Sequence, residues 1–245
     1  MRPVLALAFA AALAGCVTIT SSSIGTFAGI LPCTDCSGIL TELRLYTEHP
    51  SGQPTRYELT ETYLGARDGG GSLSTTNRWA FLRGTASDAD ATVIQLDLGR
   101  IDARRKFVRA GDDELRLIDR NLKEIPPTIA HSLHRVSDLP PASLLETNSG
   151  EAIEVERGQR VYVVLGANRT TGYDWTLATD AAGPLASLGG PVYAQAADLA
   201  GSGGTGIWFF RASKSGKQAL SFHYSRPAVP NAPVVKTVTF TVNVR

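Results

Sequence analysis

The sequence predicts an all-β protein built from two domains. Apolar residues alternate with polar ones over short runs, and glycine and asparagine punctuate the runs, a pattern typical of strands joined by turns. No long helical pattern interrupts them. Prolines and small polar residues are concentrated at residues 137–143, between two such regions, so we predict a Pro-rich linker at residues 137–149. Consecutive prolines favour an extended, semi-rigid spacer between the domains.

Residues 1–15 have the composition of a short secretory signal peptide. Arg2 supplies the positive end, and the apolar run that follows at residues 4–13 is too short to span a bilayer. Removal of this peptide takes away one arginine and no acid, which brings the formal net charge from +1 to zero. Electrostatics therefore gives no reason to expect a nucleic-acid partner.

The motif Leu13-Ala14-Gly15-Cys16 resembles the bacterial lipobox, whose cysteine receives acyl chains such as palmitate and becomes the mature N-terminus. An ordinary cleaved signal is the alternative, but it leaves Cys16 as an odd free thiol in an oxidising compartment. We expect lipidation at Cys16 and a tether at residues 16–24. Val17 replaces the aspartate of the inner-membrane retention signal, so we expect a lipid anchor in the outer membrane, with the protein periplasmic or surface-exposed.

The first domain is predicted at residues 25–136. Strand-like runs at residues 40–46, 56–63, 92–98 and 114–118 recur with turns between them. This spacing suits a small barrel or meander.

Four features of this half resemble, in their order, the N-terminal domain of NlpE-type lipoproteins, a copper-resistance and surface-sensing family. They are the segment 31–39, the segment 63–67, an isolated Trp79 and the segment 117–120. The resemblance implies a small β-barrel related to bacterial lipocalins, attached to the outer membrane and feeding an envelope-stress pathway.

Cys33 and Cys36 admit three hypotheses. In an oxidising periplasm, two cysteines this close most simply form a local disulfide. A thioredoxin-like redox role needs the pair at a helix start, which the surrounding residues do not supply. Reduced thiolates could bind copper as Cu(I), although the mature chain has no methionine and no nearby histidine cluster to complete a soft site. We therefore predict no firm metal site and no other cofactor.

The second domain is predicted at residues 150–245. Its clearest strand is the run 234–244, and further runs lie at residues 160–165, 206–210 and 218–224. Their spacing suits a small antiparallel sandwich of about 100 residues. In the clearest strand one apolar face is predicted to be buried, made of Val238, Phe240, Val242 and Val244.

The segment 168–173 is predicted to form a tight loop between two strands of this sandwich. Asn168 can cap the turn with its amide, and Gly172 permits backbone angles that other residues avoid. Thr170 and Thr171 are predicted to point outward.

The segment 168–173, the glycine-rich segment 201–204 and Arg226-Pro227 together resemble the three loops of the chagasin family, which inhibits papain-like cysteine peptidases. The resemblance covers residues 150–245 and implies an immunoglobulin-like sandwich whose loops enter the cleft of a peptidase partner. It assigns inhibitory roles to ten residues: Asn168, Thr170, Thr171, Gly172, Tyr173, Gly201, Gly203, Gly204, Arg226 and Pro227.

Two residues depart from that family's pattern. Arg169 stands where proline is usual, which loosens the first loop because proline fixes one backbone dihedral. Ala228 stands where tryptophan follows Arg-Pro, which removes a large aromatic anchor. We expect weakened affinity or shifted selectivity.

The combined prediction is an outer-membrane lipoprotein with the barrel beside the lipid and the inhibitory sandwich at the far end. The alternative is an envelope-stress or copper-related sensor whose C-terminal sandwich is an adhesion or binding module. We do not expect an enzyme, because the sequence shows no nucleophile with a base at a recognisable spacing.

Overall fold

The computed structural model describes residues 20–66, 70–99, 105–126, 130–179, 182–195 and 201–245. The described residues form an all-β protein with a closed barrel and two further sheets, as predicted. None of the helices within these ranges is long and apolar enough to cross a membrane. The predicted signal peptide and Cys16 lie outside the described residues.

The barrel has eight antiparallel strands in sequence order, and the last of them pairs with the first. Apolar and polar residues alternate along the long second strand, and its residues Leu43 and Leu45 point inward and are buried. The strands are β1 (Thr20–Leu31), β2 (Gly38–His49), β3 (Pro54–Leu64), β4 (Ser72–Arg83), β5 (Thr92–Leu96), β6 (Lys106–Arg109), β7 (Glu114–Ile118) and β8 (Ser132–Val136).

The barrel interior is filled by large side chains. Tyr57, Trp79 and Phe107 are almost completely buried there among leucines and isoleucine. The two polar aromatic groups find partners: the Trp79 indole donates to the Tyr46 carbonyl at 2.9 Å, and the Tyr57 hydroxyl donates to Asp97 at 2.5 Å. Buried polar groups without partners destabilise a core, so these bonds allow the barrel to close around both rings.

The second domain is a sandwich of two four-stranded sheets. One sheet has the order β10-β16-β15-β12 and the other β13-β14-β11-β9. Most pairings are antiparallel, and the edge pairs β9·β11 and β10·β16 are parallel. The strands are β9 (Ala142–Leu145), β10 (Ala152–Val155), β11 (Arg160–Ala167), β12 (Asp174–Leu177), β13 (Leu185–Gln195), β14 (Gly204–Ala212), β15 (Gly216–Ser225) and β16 (Lys236–Val244).

The sandwich core lies between the two sheets. Trp175, Trp208, Phe222 and Phe240 fill it together with aliphatic side chains. The predicted buried face of β16 is confirmed, since its four apolar residues are each at most 5% exposed.

The segment predicted as a linker, residues 137–149, contains a strand. Within it, β9 adds to the edge of the sandwich by parallel pairing with β11. The prolines at 140 and 141 precede this strand, where a missing N–H disrupts no ladder. The domain boundaries themselves stay a prediction.

The two domains pack directly against each other, which corrects the expectation of an extended, semi-rigid spacer between them. Outward-facing residues of β1 and β8 meet the outer face of the sheet that contains β13 and β14. Six apolar residues of this junction are each at most 6% exposed, namely Ala28, Ile30, Val136, Leu188, Val192 and Phe209.

Glycines make this close approach possible. A Cβ atom at Gly189 of β13 would lie 2.9 Å from the Ile30 Cβ, and one at Gly38 of β2 would lie 2.9 Å from Ile30 Cγ2. Both distances are too short for a real side chain, so Gly189 admits Ile30 across the junction and Gly38 makes room for Ile30 within the barrel.

Polar contacts surround the apolar centre of the junction. Arg160 of the sandwich, with its side chain only 8% exposed, forms an ion pair with Glu42 of the barrel. Nearby, Arg44 pairs with Asp138 at 2.6 Å. A buried charge is stable in such a place only when it is paired, so the ion pair of Arg160 with Glu42 links the two domains.

The two ends of the barrel have different neighbours. At the N-terminal end, Thr20 begins β1 opposite His49. At the other end, residues 32–37, here named the cysteine turn, connect β1 to β2. Strand β13 passes Ile30 at Gly189 and reaches the cysteine turn at Tyr193, so it runs toward the cysteine-turn end.

Candidate functional site

The first loop, residues 168–173, is a compact turn held by its own side chains. Residues Arg169–Thr171 form one turn of 3₁₀ helix, capped by Asn168, whose side chain accepts from the Thr170 N–H. The Thr170 hydroxyl donates to Asn168 Oδ1 and the Thr171 hydroxyl to the Asn168 carbonyl, each at 2.6 Å. Gly172 closes the turn with φ of 80°, a left-handed conformation that favours glycine. Both threonines are exposed, and their hydroxyl protons serve the loop itself.

Contacts outside the loop hold it against the sandwich. The Arg169 guanidinium pairs with Asp174 at 2.7 Å and lies over the Tyr193 ring, with Cζ 4.2 Å from the centroid. The Asn168 N–H donates to the Tyr224 hydroxyl at 3.3 Å. The arginine expected to loosen the loop is therefore tied to two partners.

The second loop is described from Gly201 to Gly204. Asn168 Nδ2 donates to the Gly201 carbonyl at 3.4 Å, which connects the first loop to the second. Gly204 begins β14 where a Cβ atom would lie 2.5 Å from the Tyr193 ring and 2.7 Å from the Ala194 carbonyl oxygen, so only glycine fits there. Gly203 lies close to the Ala167 carbonyl.

The third loop, residues 226–235, connects β15 to β16. The Arg226 guanidinium lies over the Tyr173 ring, with Cζ 4.6 Å from the centroid, and so connects this loop to the first. Tyr173 stacks in turn on Tyr224 at 5.5 Å between centroids. Pro227 is exposed beside Arg226. Arg226, Tyr173 and Tyr224 thus form a continuous stack from the third loop toward the core.

All three loops lie at one end of the sandwich. The first loop is central, because it contacts the second through Asn168 and the third through Tyr173. The strand registers also place these loops side by side, since Gly204 lies opposite Ala167 at the end of β11 and opposite Gln195 at the end of β13. The ten residues predicted for the site are therefore near neighbours, and their inhibitory roles stay a prediction.

Sequence reasoning missed three supporting residues. Tyr193 belongs to β13 and Tyr224 to β15, so neither is close in sequence to the loop it supports. Asp174 follows the first loop directly, and its charge opposite to that of Arg169 was a usable signal. The two tyrosines have no comparable local signal.

Cys33 and Cys36 are joined in a disulfide, with their Cα atoms 5.4 Å apart. Cu(I) binds thiolates, and a disulfide offers none. Among the described residues, no group of three or more histidine, cysteine, aspartate or glutamate side chains has the arrangement of a metal site. The disulfide form of the pair therefore does not fit the copper site that the family resemblance suggested, which requires the reduced thiolates.

The two halves match different family models. Residues 27–127 match the model of the NlpE N-terminal domain, and residues 154–244 match the chagasin family of peptidase inhibitors, I42. The chain is 31% identical over 113 residues to Lipoprotein NlpE of Escherichia coli strain K12. That alignment covers 46% of this chain and 41% of the relative, so the chain spans well under half of the relative's length.

Solved structures similar to this chain include a cysteine protease inhibitor, EhICP2, from Entamoeba histolytica, with 17% identity and a TM-score of 0.37 over 43% of this chain and 96% of that one. Amebosin has 28% identity and a TM-score of 0.36 over 44% of this chain and all of its own. PbICP-C, solved in complex with falcipain-2, has 17% identity and a TM-score of 0.29 over 45% of this chain and 94% of its chain.

Proposed function

We propose that this chain, which joins an NlpE-like domain to a chagasin-like inhibitor domain, inhibits papain-like cysteine peptidases by inserting three loops into the active-site cleft. The observation that carries the proposal is the contact of Asn168 with Gly201 and of Arg226 with Tyr173, which join the three loops into one surface. The role is binding and not catalysis.

The first loop is the part that approaches the peptidase nucleophile. Thr170 and Thr171 are exposed at its tip, and their hydroxyl protons are already engaged by Asn168. The peptide bonds of this tip lie in a 3₁₀ turn and not in the extended form in which peptidase clefts bind substrates. The loop therefore occupies the cleft without being cleaved.

The second and third loops contact the walls of the cleft on either side of the first loop. Gly203 and Gly204 supply a close backbone surface on one side, and Arg226 and Pro227 supply a charged and a rigid group on the other. The contacts among the loops exist before a partner arrives, which reduces the ordering cost of about 0.5–1.5 kcal/mol for each immobilised side chain. An interface of standard size buries about 800 Å² on each partner.

The lipid anchor belongs to the same proposal. Palmitate and related acyl chains on Cys16 attach the protein to the outer membrane, in the periplasm or at the surface, since each buried methylene contributes about 0.8 kcal/mol. The lipobox and the similarity to Lipoprotein NlpE support this localisation.

The alternative is an envelope-stress or copper-related sensor whose sandwich is a binding module. The match of residues 27–127 to the NlpE domain favours it. The disulfide between Cys33 and Cys36 offers no thiolate for copper. The contacts that join the three loops into one surface support the inhibitor better than the sensor.

The test is inhibition of papain by a soluble chain of residues 20–245, measured with a fluorogenic peptide substrate. Both domains are kept because the apolar junction covers a face of the sandwich. We expect tight, reversible inhibition with an inhibition constant below about 1 μM, equivalent to more than about 8 kcal/mol of binding. No inhibition at micromolar concentration would contradict the proposal.

A pair of glycine variants separates loop function from general stability. Gly172→Val and Gly111→Val both alter a glycine of positive φ with no atom within 4 Å of the added Cβ. Each costs about 1–2 kcal/mol of backbone strain. We expect a rise in the inhibition constant of about tenfold or more for Gly172→Val alone, because Gly111 lies in a barrel turn at the N-terminal end.

A further inference from the structure

The cysteine turn lies beside the second loop. Ser37 Oγ donates to the Tyr193 carbonyl of β13 at 2.7 Å. A Cβ atom at Gly65, in the turn that follows β3, would lie 2.9 Å from the same carbonyl oxygen. Tyr193 lies two positions before the end of β13 at Gln195, a distance of about 7 Å along a strand.

Contacts define a linear order for four segments. Gln195 Nε2 donates to Ser202 Oγ at 3.1 Å, so the end of β13 is tied to the second loop. The second loop contacts the first and the first contacts the third. The order across the surface is therefore cysteine turn, second loop, first loop and third loop.

Three features hold the cysteine turn in place relative to the loops. The disulfide closes the turn, and the junction behind it has a buried apolar centre. Ion pairs between Arg160 and Glu42 and between Arg44 and Asp138 surround that junction. A large apolar contact of this kind disfavours relative motion of two domains.

The tip of the turn is free for a partner. Pro32, Thr34 and Asp35 are exposed, and they offer a rigid ring, a hydroxyl and a carboxylate. Strand β13 runs toward the cysteine-turn end of the barrel, so the turn and the three loops face the same direction.

We propose that the cysteine turn is a fourth contact of the inhibitory surface, where it meets the rim of the same peptidase whose cleft holds the three loops. This rests on the proposed function and adds the barrel to the binding interface. A papain-like peptidase that extends beyond its cleft on the side of the second loop faces Thr34 and Asp35 directly. The barrel then contributes to affinity and to the choice of peptidase.

Site-specific photo-cross-linking tests the contact. p-Benzoylphenylalanine is incorporated at Thr34 in the soluble chain of residues 20–245, which is then mixed with papain and irradiated. The matched control carries the same group at Gln53, an exposed position in a turn at the N-terminal end of the barrel. We expect a covalent complex from position 34 and none from position 53.

Substitution supplies a second measurement. Thr34→Trp is expected to raise the inhibition constant about tenfold by crowding the rim, and Gln53→Trp to leave it unchanged. If the unmodified chain inhibits papain but position 34 neither cross-links nor affects inhibition, the fourth contact is wrong and the proposed function stands. If the unmodified chain does not inhibit papain at all, the proposed function is wrong, and the fourth contact is wrong with it.

Discussion

Arg169 stands at the position where the chagasin family usually has proline. Its ion pair with Asp174 is partly exposed and contributes about 0–1 kcal/mol. Its stacking over Tyr193 contributes about 0.5–1 kcal/mol. A proline that fixes φ stabilises a loop by about 0.4–1 kcal/mol. Two external contacts thus offset the dihedral restraint that the chain lacks.

A double-mutant cycle tests this account of Arg169. Asp174→Asn removes the ion pair, and we expect it to raise the inhibition constant for papain about fivefold, which corresponds to about 1 kcal/mol. Arg169→Met should raise it at least as much, because it removes the stacking over Tyr193 as well. The double variant should be no weaker than Arg169→Met alone, because the ion pair is already lost in that variant. Additive losses would show that the pair does not hold the loop.

Arg169→Pro introduces the residue that is usual at this position in the chagasin family. The first helical position tolerates proline, and Asn168 is already extended, with φ of −130° and ψ of 90°. We expect this variant to inhibit at least as tightly as the parent chain. A clear loss of inhibition would mean that the arginine contacts the peptidase itself.

At the level of elements, β13 is an edge strand that depends on the barrel. Ser37 satisfies one of its carbonyls, and the apolar junction covers Val192. Exposed strand edges promote association with other chains, so the barrel protects this edge. The opposite edge of the same sheet is completed by β9, which precedes residue 150.

Isolation of residues 150–245 is therefore expected to harm the sandwich. This fragment lacks β9 and exposes Leu188, Val192 and Phe209, each of which stabilises by about 1.5–3 kcal/mol when buried. Their sum is comparable with the total stability of a domain, about 5–15 kcal/mol. We expect a lower melting temperature than for residues 20–245, and self-association in size-exclusion chromatography.

The variant Val192→Lys provides the control for that experiment. It should destabilise residues 20–245, because it places a charge in a buried junction, and should reduce self-association of the fragment. A monomeric fragment that melts at the temperature of the longer chain would argue against a structural role for the junction.

On the scale of the whole molecule, the start of β1 and the three loops lie at opposite ends. Thr20 begins β1 at the N-terminal end of the barrel, four residues after the predicted lipidation site. The three loops and the cysteine turn face the other end. The proposed anchor at Cys16 would therefore leave the proposed inhibitory surface directed away from the bilayer.

Inhibition by the membrane-bound protein tests this orientation. The lipidated chain, reconstituted in phospholipid vesicles, should inhibit added papain with an inhibition constant within about threefold of that of soluble residues 20–245. The comparison uses the outward-facing fraction of protein, measured by antibody binding. Inhibition weaker by more than about tenfold would contradict an outward-facing loop surface.

The strands whose apolar residues alternate were predictable from sequence. The buried faces of β2 and β16 follow a period of two residues, which reflects local geometry alone. Strand β1 gave no such signal, because Phe27 points into the barrel while Ala28 and Ile30 are buried by the other domain. Strand β4 is mostly exposed, and most of its apolar residues stand in one consecutive run at 79–82 without alternation.

The sequence alone therefore determined the all-β class, the two family resemblances and the identity of the loop residues, because strand alternation and turn chemistry depend on near neighbours in the chain. Only the tertiary structure decided that the barrel packs on the sandwich and that Tyr193 joins the cysteine turn to the first loop. An outward-facing apolar residue looks the same in sequence whether water or another domain covers it. Contacts between distant strands, such as that of Arg169 with Tyr193, exist only once both strands are in place.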